Sequence, residues 1–88
     1  MKEFNLETIN EILENINKFV WTNDLIIKHT YINQLQEWVE VVAIDYTYDI
    51  VLKFSVSKYG LFYYNNTIYT LDEITDYLDT PEYQVKFN

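Results

Sequence analysis

Apolar residues recur at helical spacing from Leu6 to Val20. Ile9, Ile12, Leu13, Ile16, Phe19 and Val20 fall on one side of an α-helical period. Asn5 stands where an N-cap acceptor is needed, and Phe4 and Ile9 are spaced as a hydrophobic staple around it. The opposite side carries Glu3, Glu7, Glu11 and Glu14. Thr22-Asn23-Asp24 ends the pattern with a turn signal. Leu25 to Ile32 is β-rich but alternates poorly, which predicts a strand or an irregular extended segment. Asn33 to Gln36 reads as a turn.

Clearer strands follow. Trp38 to Tyr46 is apolar on both alternating sets, as expected of a central strand. The chain turns at Thr47-Tyr48-Asp49. Ile50 to Val56 then alternates, with Ile50, Leu52, Phe54 and Val56 set against Val51, Lys53 and Ser55. Lys58-Tyr59-Gly60 is the next turn. Leu61 to Tyr64 and Thr67 to Tyr69 make a short hairpin around Asn65-Asn66, since asparagine tolerates the left-handed region. Thr70 and Glu73 have the spacing of a capping box, Tyr69 and Ile74 that of a second staple, and Leu71, Ile74, Tyr77 and Leu78 form the inner stripe of a second helix. Asp72, Glu73, Asp76 and Asp79 lie outside that stripe, and Pro81 stops the helix. Glu82 to Phe87 alternates again and predicts a strand-like tail at the sheet edge.

The expectation is a single α+β domain over residues 1–88: an N-terminal helix, an antiparallel meander of three to five strands, a second helix and a short tail. One sheet face is covered by both helices.

Composition narrows the chemistry. The 88 residues leave room for one domain, and nine Tyr, five Phe and two Trp are first of all core material. There is no cysteine, which fits a reducing compartment and removes thiolate metal sites and thiol nucleophiles. No signal peptide follows Met1 and no apolar run is long enough for a membrane span, so a cytoplasmic protein is expected. Many Asn, Ile, Lys and Tyr against few Ala, Gly and Pro suggest AT-rich coding, as in a low-GC bacterium or its phage.

The charge is lopsided. Fourteen acids face six bases, all of them lysine, for a formal net charge of −8. Arginine, which reads phosphate and base edges with a bidentate fork, is missing. Such a domain repels polyanions and anionic membranes, so no direct nucleic-acid or membrane binding is expected.

Candidate catalytic groups are sparse. His29 is the single histidine, Ser55 and Ser57 are the only serines, and Gly60 is the single glycine. No nucleophile elbow, phosphate-cradling loop or EF-hand spacing is present. No enzyme activity, cofactor or metal is expected. The acids carry more information. Glu7, Glu11 and Glu14 on the first helix, Asp72, Asp76 and Asp79 on the second, and Asp45 and Asp49 around the turn have two readings. They are a solvated surface that keeps an apolar-rich domain soluble, or an imitation of a phosphate backbone offered to a basic groove. Tyr48 and Tyr63 are candidate aromatic anchors for the same partner.

Size, acidity, absence of cysteine and the helix–meander–helix order resemble the small phage-encoded inhibitors of nucleic-acid enzymes, anti-CRISPR proteins above all. The likeness is one of architecture over the whole chain, and no residue is carried over from it. It implies an acidic stoichiometric inhibitor that binds a basic nucleic-acid-processing protein such as a Cas effector. An immunity protein against a nuclease toxin fits the same description. A regulatory subunit that associates through exposed aromatics, as monomer or homodimer, is the alternative.

Overall fold

The computed structural model describes residues 2–84. Its elements are α1 (Leu6–Thr22), β1 (Ile26–Asn33), β2 (Trp38–Asp45), β3 (Ile50–Ser57), β4 (Phe62–Tyr64), β5 (Thr67–Tyr69), α2 (Leu71–Leu78) and α3 (Pro81–Gln84). The strands form one antiparallel sheet in the order β1-β2-β3-β4-β5, a meander without crossovers. The mixed α+β architecture is the one the sequence predicts.

Both main helices start as their capping residues dictate. The Asn5 side chain accepts from the Thr8 amide at 3.1 Å, and the Thr8 hydroxyl accepts from the Asn5 amide at 2.8 Å. At α2 the Thr70 hydroxyl accepts from the Glu73 amide at 3.2 Å, while Glu73 reaches back to the Thr70 amide at 2.8 Å. Each reciprocal pair satisfies two amides that a helix start leaves unpartnered. Helix α1 runs two residues past the expected Val20. Asn23 then closes it, its amide and its side chain both donating to the Phe19 carbonyl.

The turns use the residues the backbone requires. Asn65 and Asn66 both take positive φ, at 51° and 62°, in the β4–β5 hairpin. Gly60 has φ +77°, where a Cβ would be strained. At the β2–β3 turn the Asp45 carboxylate accepts from the Thr47 and Tyr48 amides at 3.0 and 3.4 Å.

Strand β1 is a regular partner of β2, but its register shifts between Ile27 and His29. Lys28 is the extra residue of a bulge. Ile27 therefore faces the same side as Ala43, and His29 the same side as Val42. That inversion is why the Leu25–Ile32 stretch lacks clean alternation.

The core lies between one sheet face and the helices. Helix α1 packs on β2 and β3 and touches α2, which lies beside β5. Ile12, Ile16 and Phe19 of α1 meet Val39, Val41, Leu52, Phe54, Val56 and Phe62 of the sheet. Phe19 sits at the centre, edge-on to Phe54 at 5.3 Å and to Phe62 at 5.2 Å.

The tail departs from expectation. Residues 81–84 form a helical turn instead of continuing an edge strand. Pro81 suits a first helical position, where no amide donor is needed, and Thr80 Oγ1 accepts from the Tyr83 amide at 3.4 Å. Tyr83 is wholly buried and donates its hydroxyl to Asp45 at 2.8 Å. The expected strand positions Val85 to Phe87 lie outside the described residues.

Candidate functional site

Charge separates between the two layers of the fold. Residues 6–22 and 71–84, the helices and the links between α2 and α3, hold eight acids and one lysine, which leaves seven negative charges. The acids are Glu7, Glu11, Glu14, Asp72, Glu73, Asp76, Asp79 and Glu82, and every one is exposed. Residues 26–69, the sheet and its turns, hold four acids and three lysines, so this layer is close to neutral.

Six of the expected partner-facing carboxylates, Glu7, Glu11, Glu14, Asp72, Asp76 and Asp79, thus stand on one layer. Glu11 makes an exposed ion pair with Lys2 at 3.0 Å, a contact of small energetic weight. The C-terminal ends of α1 and α2 come together, with Asn23 donating to Thr75 at 3.5 Å. Asp24 and Asp79 share a small depression there, about 230 Å³ in volume, with Tyr48 on its wall. Neither helix has a base in its last turn. Carboxylates beside two helix C-termini meet the negative ends of both dipoles, a placement that costs stability. Asp24 belongs to this acidic region although its turn signal hid it in the sequence.

Asp45 leaves the set. Its side chain is buried at 3% exposure, with one oxygen on the turn amides and the other on the Tyr83 hydroxyl. It anchors α3 to β2 and offers nothing to a partner. Asp49 is exposed at the turn with φ 56°. Tyr48 is 37% exposed and rests edge-on against Tyr83 at 6.1 Å. Tyr63 lies on the other side of the sheet against Trp38, ring centroids 5.3 Å apart, so the two tyrosines are not a pair.

The Asp45–Tyr83 link carries a pH prediction. Burial, and then the hydrogen bond to Asp45, hold the Tyr83 phenol far above its ordinary range. A raised folded value means that its contribution is fully present below about pH 10 and is lost as pH rises further. Tyr83→Phe leaves a buried carboxylate oxygen unpaired and is expected to cost about 1–3 kcal/mol at neutral pH. Thermal melts from pH 7 to 11 should show the wild type losing stability above about pH 10 more steeply than Tyr83→Phe. Parallel pH profiles would assign no such role to the phenol.

The second surface is the sheet face on which the expected anchor Tyr63 lies. No described element covers the sheet face opposite the helices. Across it run Ile44 and Val51, then Val42 and Lys53 beside His29, then Glu40 and Ser55 between Tyr31 and Tyr63, with Trp38 at one end and Ile68 on β5. Val51 is 51% and Ile68 57% exposed. The signal was the double apolar pattern of β2, whose second set meets no helix. Glu40 accepts from the Asn33 amide group and the Trp38 indole, each at 3.0 Å, and these bonds hold its carboxyl below its usual range.

Comparison with protein-family models, curated proteins and solved structures finds no significant match to this chain. Among the described residues no three His, Cys, Asp or Glu side chains converge as metal ligands, and no helix is long and apolar enough to cross a membrane. His29 is exposed on the edge strand, with no carboxylate within ion-pairing distance among the described residues. An open groove of about 720 Å³ between the last turns of α1 and the start of β1 is lined by Val20, Trp21, Leu25 and Ile26, with Glu14 and Lys18 at its rim. Its lining surface is chiefly apolar and presents contact area.

Proposed function

We propose that this chain is an acidic stoichiometric inhibitor that lays its helical layer on the basic nucleic-acid-binding surface of a nuclease or a CRISPR effector. The observation that carries the reading is the segregation of charge, eight exposed acids against one lysine on the helices. A need for solubility alone is met by acids spread over the whole surface. Here they crowd one layer, including the helix C-termini where they cost stability.

The spacing suits a phosphate-binding groove. Glu7, Glu11 and Glu14 follow one another at about 6 and 4.5 Å along the helix axis. Phosphates in one DNA strand follow at about 3.4 Å of rise, so both present closely spaced negative charges on a rigid scaffold. A cationic groove built for one attracts the other, and steering between opposite fields speeds the encounter. The resemblance to anti-CRISPR proteins and to nuclease immunity proteins supports the same chemistry, exercised in the cytoplasm of a bacterial host.

The test is a pull-down against purified Cas effectors and nuclease toxins at about 50 mM and about 500 mM salt, where screening separates electrostatic from apolar contacts. Capture of at least one basic member at low salt, lost at high salt, is expected. Absence of capture across the panel at low salt would overturn the proposal.

A further inference from the structure

We propose that a hollow on the uncovered sheet face binds a free α-amino acid with an apolar or aromatic side chain, Lys53 taking its carboxylate and Glu40 its ammonium. This goes beyond the proposed inhibition and does not depend on it, because the hollow lies on the opposite side of the sheet from the acidic helices.

Strand register builds the hollow. His29, Val42 and Lys53 form one row across β1, β2 and β3, and Tyr31, Glu40, Ser55 and Tyr63 form the next. The bulge at Lys28 is what turns His29 and Tyr31 onto this face. Together these side chains line a depression of about 310 Å³. That is roughly ten water volumes of about 30 Å³ each, room for a molecule of roughly ten non-hydrogen atoms.

Two opposite charges stand in it without meeting. Glu40 Oε2 accepts from both the Asn33 amide group and the Trp38 indole, each at 3.0 Å. These bonds fix the carboxylate and favour its ionised form, and Oε1 has no hydrogen-bond partner among the described residues. Lys53 is the diagonal neighbour of Glu40 on β3, a position about 7–8 Å away between α-carbons. No ion pair within 4.0 Å joins them, and among the described residues Lys53, His29 and Ser55 have no hydrogen-bond or ion-pair partner. A held carboxylate oxygen beside an unpaired ammonium receives the reverse pair of charges.

Charge complementarity selects the ligand. A simple anion is repelled by a chain of net charge −8 and meets Glu40 in the hollow. A simple cation leaves Lys53 unanswered and is drawn to the exposed acids of the helices instead. A small zwitterion answers both groups and is drawn away by neither field. Glu40 Oε1 needs an N–H to accept, which a quaternary ammonium lacks. The ligand's two charges must also lie close together, as they do on one α-carbon. His29, across Val42 from Lys53, and the Ser55 hydroxyl add donors for the carboxylate. Tyr31, Val42 and Tyr63 supply apolar walls for the side chain, and tyrosine rings attract an ammonium as well.

NMR titration of the full chain with L-phenylalanine and L-leucine, each to about 10 mM, tests the proposal. Saturable shifts at Val42, Lys53, Ser55 and Tyr63 are expected with at least one of them, while Glu11 and Asp76 stay fixed. Hydrocinnamate, which lacks the ammonium, and phenethylamine, which lacks the carboxylate, should each bind at least about tenfold more weakly than L-phenylalanine. Lys53→Met and Glu40→Gln should each weaken amino-acid binding by at least about tenfold, and Lys53→Arg should restore it. Lys53 is exposed, so Lys53→Met should keep the wild-type melting temperature and reads binding alone. No saturable shift with either amino acid, a single-charge analogue that binds as tightly, or wild-type binding in Lys53→Met would each overturn it.

Discussion

Phe19→Ala is expected to cost about 3–5 kcal/mol and to leave the domain barely folded. Phe19 has no exposed surface, and its ring meets both Phe54 and Phe62 edge-on. It is the side chain through which α1 grips the sheet. Removing it opens a cavity between elements that cannot close over it, because β3 and β4 are held by their own ladder. Domains this small sit near the low end of a stability range of about 5–15 kcal/mol, so one such loss decides whether the chain folds. Urea denaturation checks it. Trp21→Ala, two residues on at 87% exposure, should change stability by no more than about 0.5 kcal/mol. Equal midpoints for the two variants would place the core elsewhere.

Reversing Glu7, Glu11 and Glu14 together to lysine is expected to weaken partner binding more than 100-fold at low salt. Each reversal moves the charge by two, so the formal net charge changes by six from −8. Like charges set against a cationic groove cost several kcal/mol, and about 1.4 kcal/mol is tenfold in affinity. The loss should fall first on the association rate, which fields steer. Stability should change little, because the three side chains are exposed and none is buried in the core. Glu7 gives up a favourable place in the first turn, worth a few tenths of a kcal/mol up to about 1. Association rates by stopped flow, with melting curves as control, measure both effects. The matching set Asp72, Asp76 and Asp79 tells which helix meets the partner.

Much of the fold was legible because local signals agreed with one another. Asn5, Thr70 with Glu73, Asn65-Asn66 and Gly60 each fix a backbone conformation from a single side chain or its absence, and the starts of α1 and α2 and the turns β3–β4 and β4–β5 follow from them. The β1 segment was harder to read. A bulge at Lys28 swaps which residues face the core, and no period-two pattern survives that swap. The tail misled for a different reason. Tyr83, Val85 and Phe87 alternate, but Pro81 after Thr80 starts a helical turn, and a buried partner 38 positions away holds Tyr83 in place. Long-range hydrogen bonds of this kind leave no periodic trace.

The candidate surface was legible in part. The acids of the two helices were readable as exposed because each stands opposite an apolar stripe. Asp45 looked the same in sequence, yet its neighbours in the turn and the Tyr83 hydroxyl draw it inward. The open sheet face was legible only as the sheet's exposed aromatics, since an apolar second set on β2 is equally what a strand buried on both sides displays.

The central claim, that the helical layer occupies a site made for nucleic acid, is tested most directly by competition. A labelled DNA duplex bound to a captured nuclease or Cas effector is titrated with this chain, and the bound fraction is followed by fluorescence anisotropy. Complete displacement at a one-to-one molar ratio is expected, weakened by salt and abolished by the Glu7, Glu11 and Glu14 reversals. A ternary complex in which the chain binds while the DNA stays in place would contradict it.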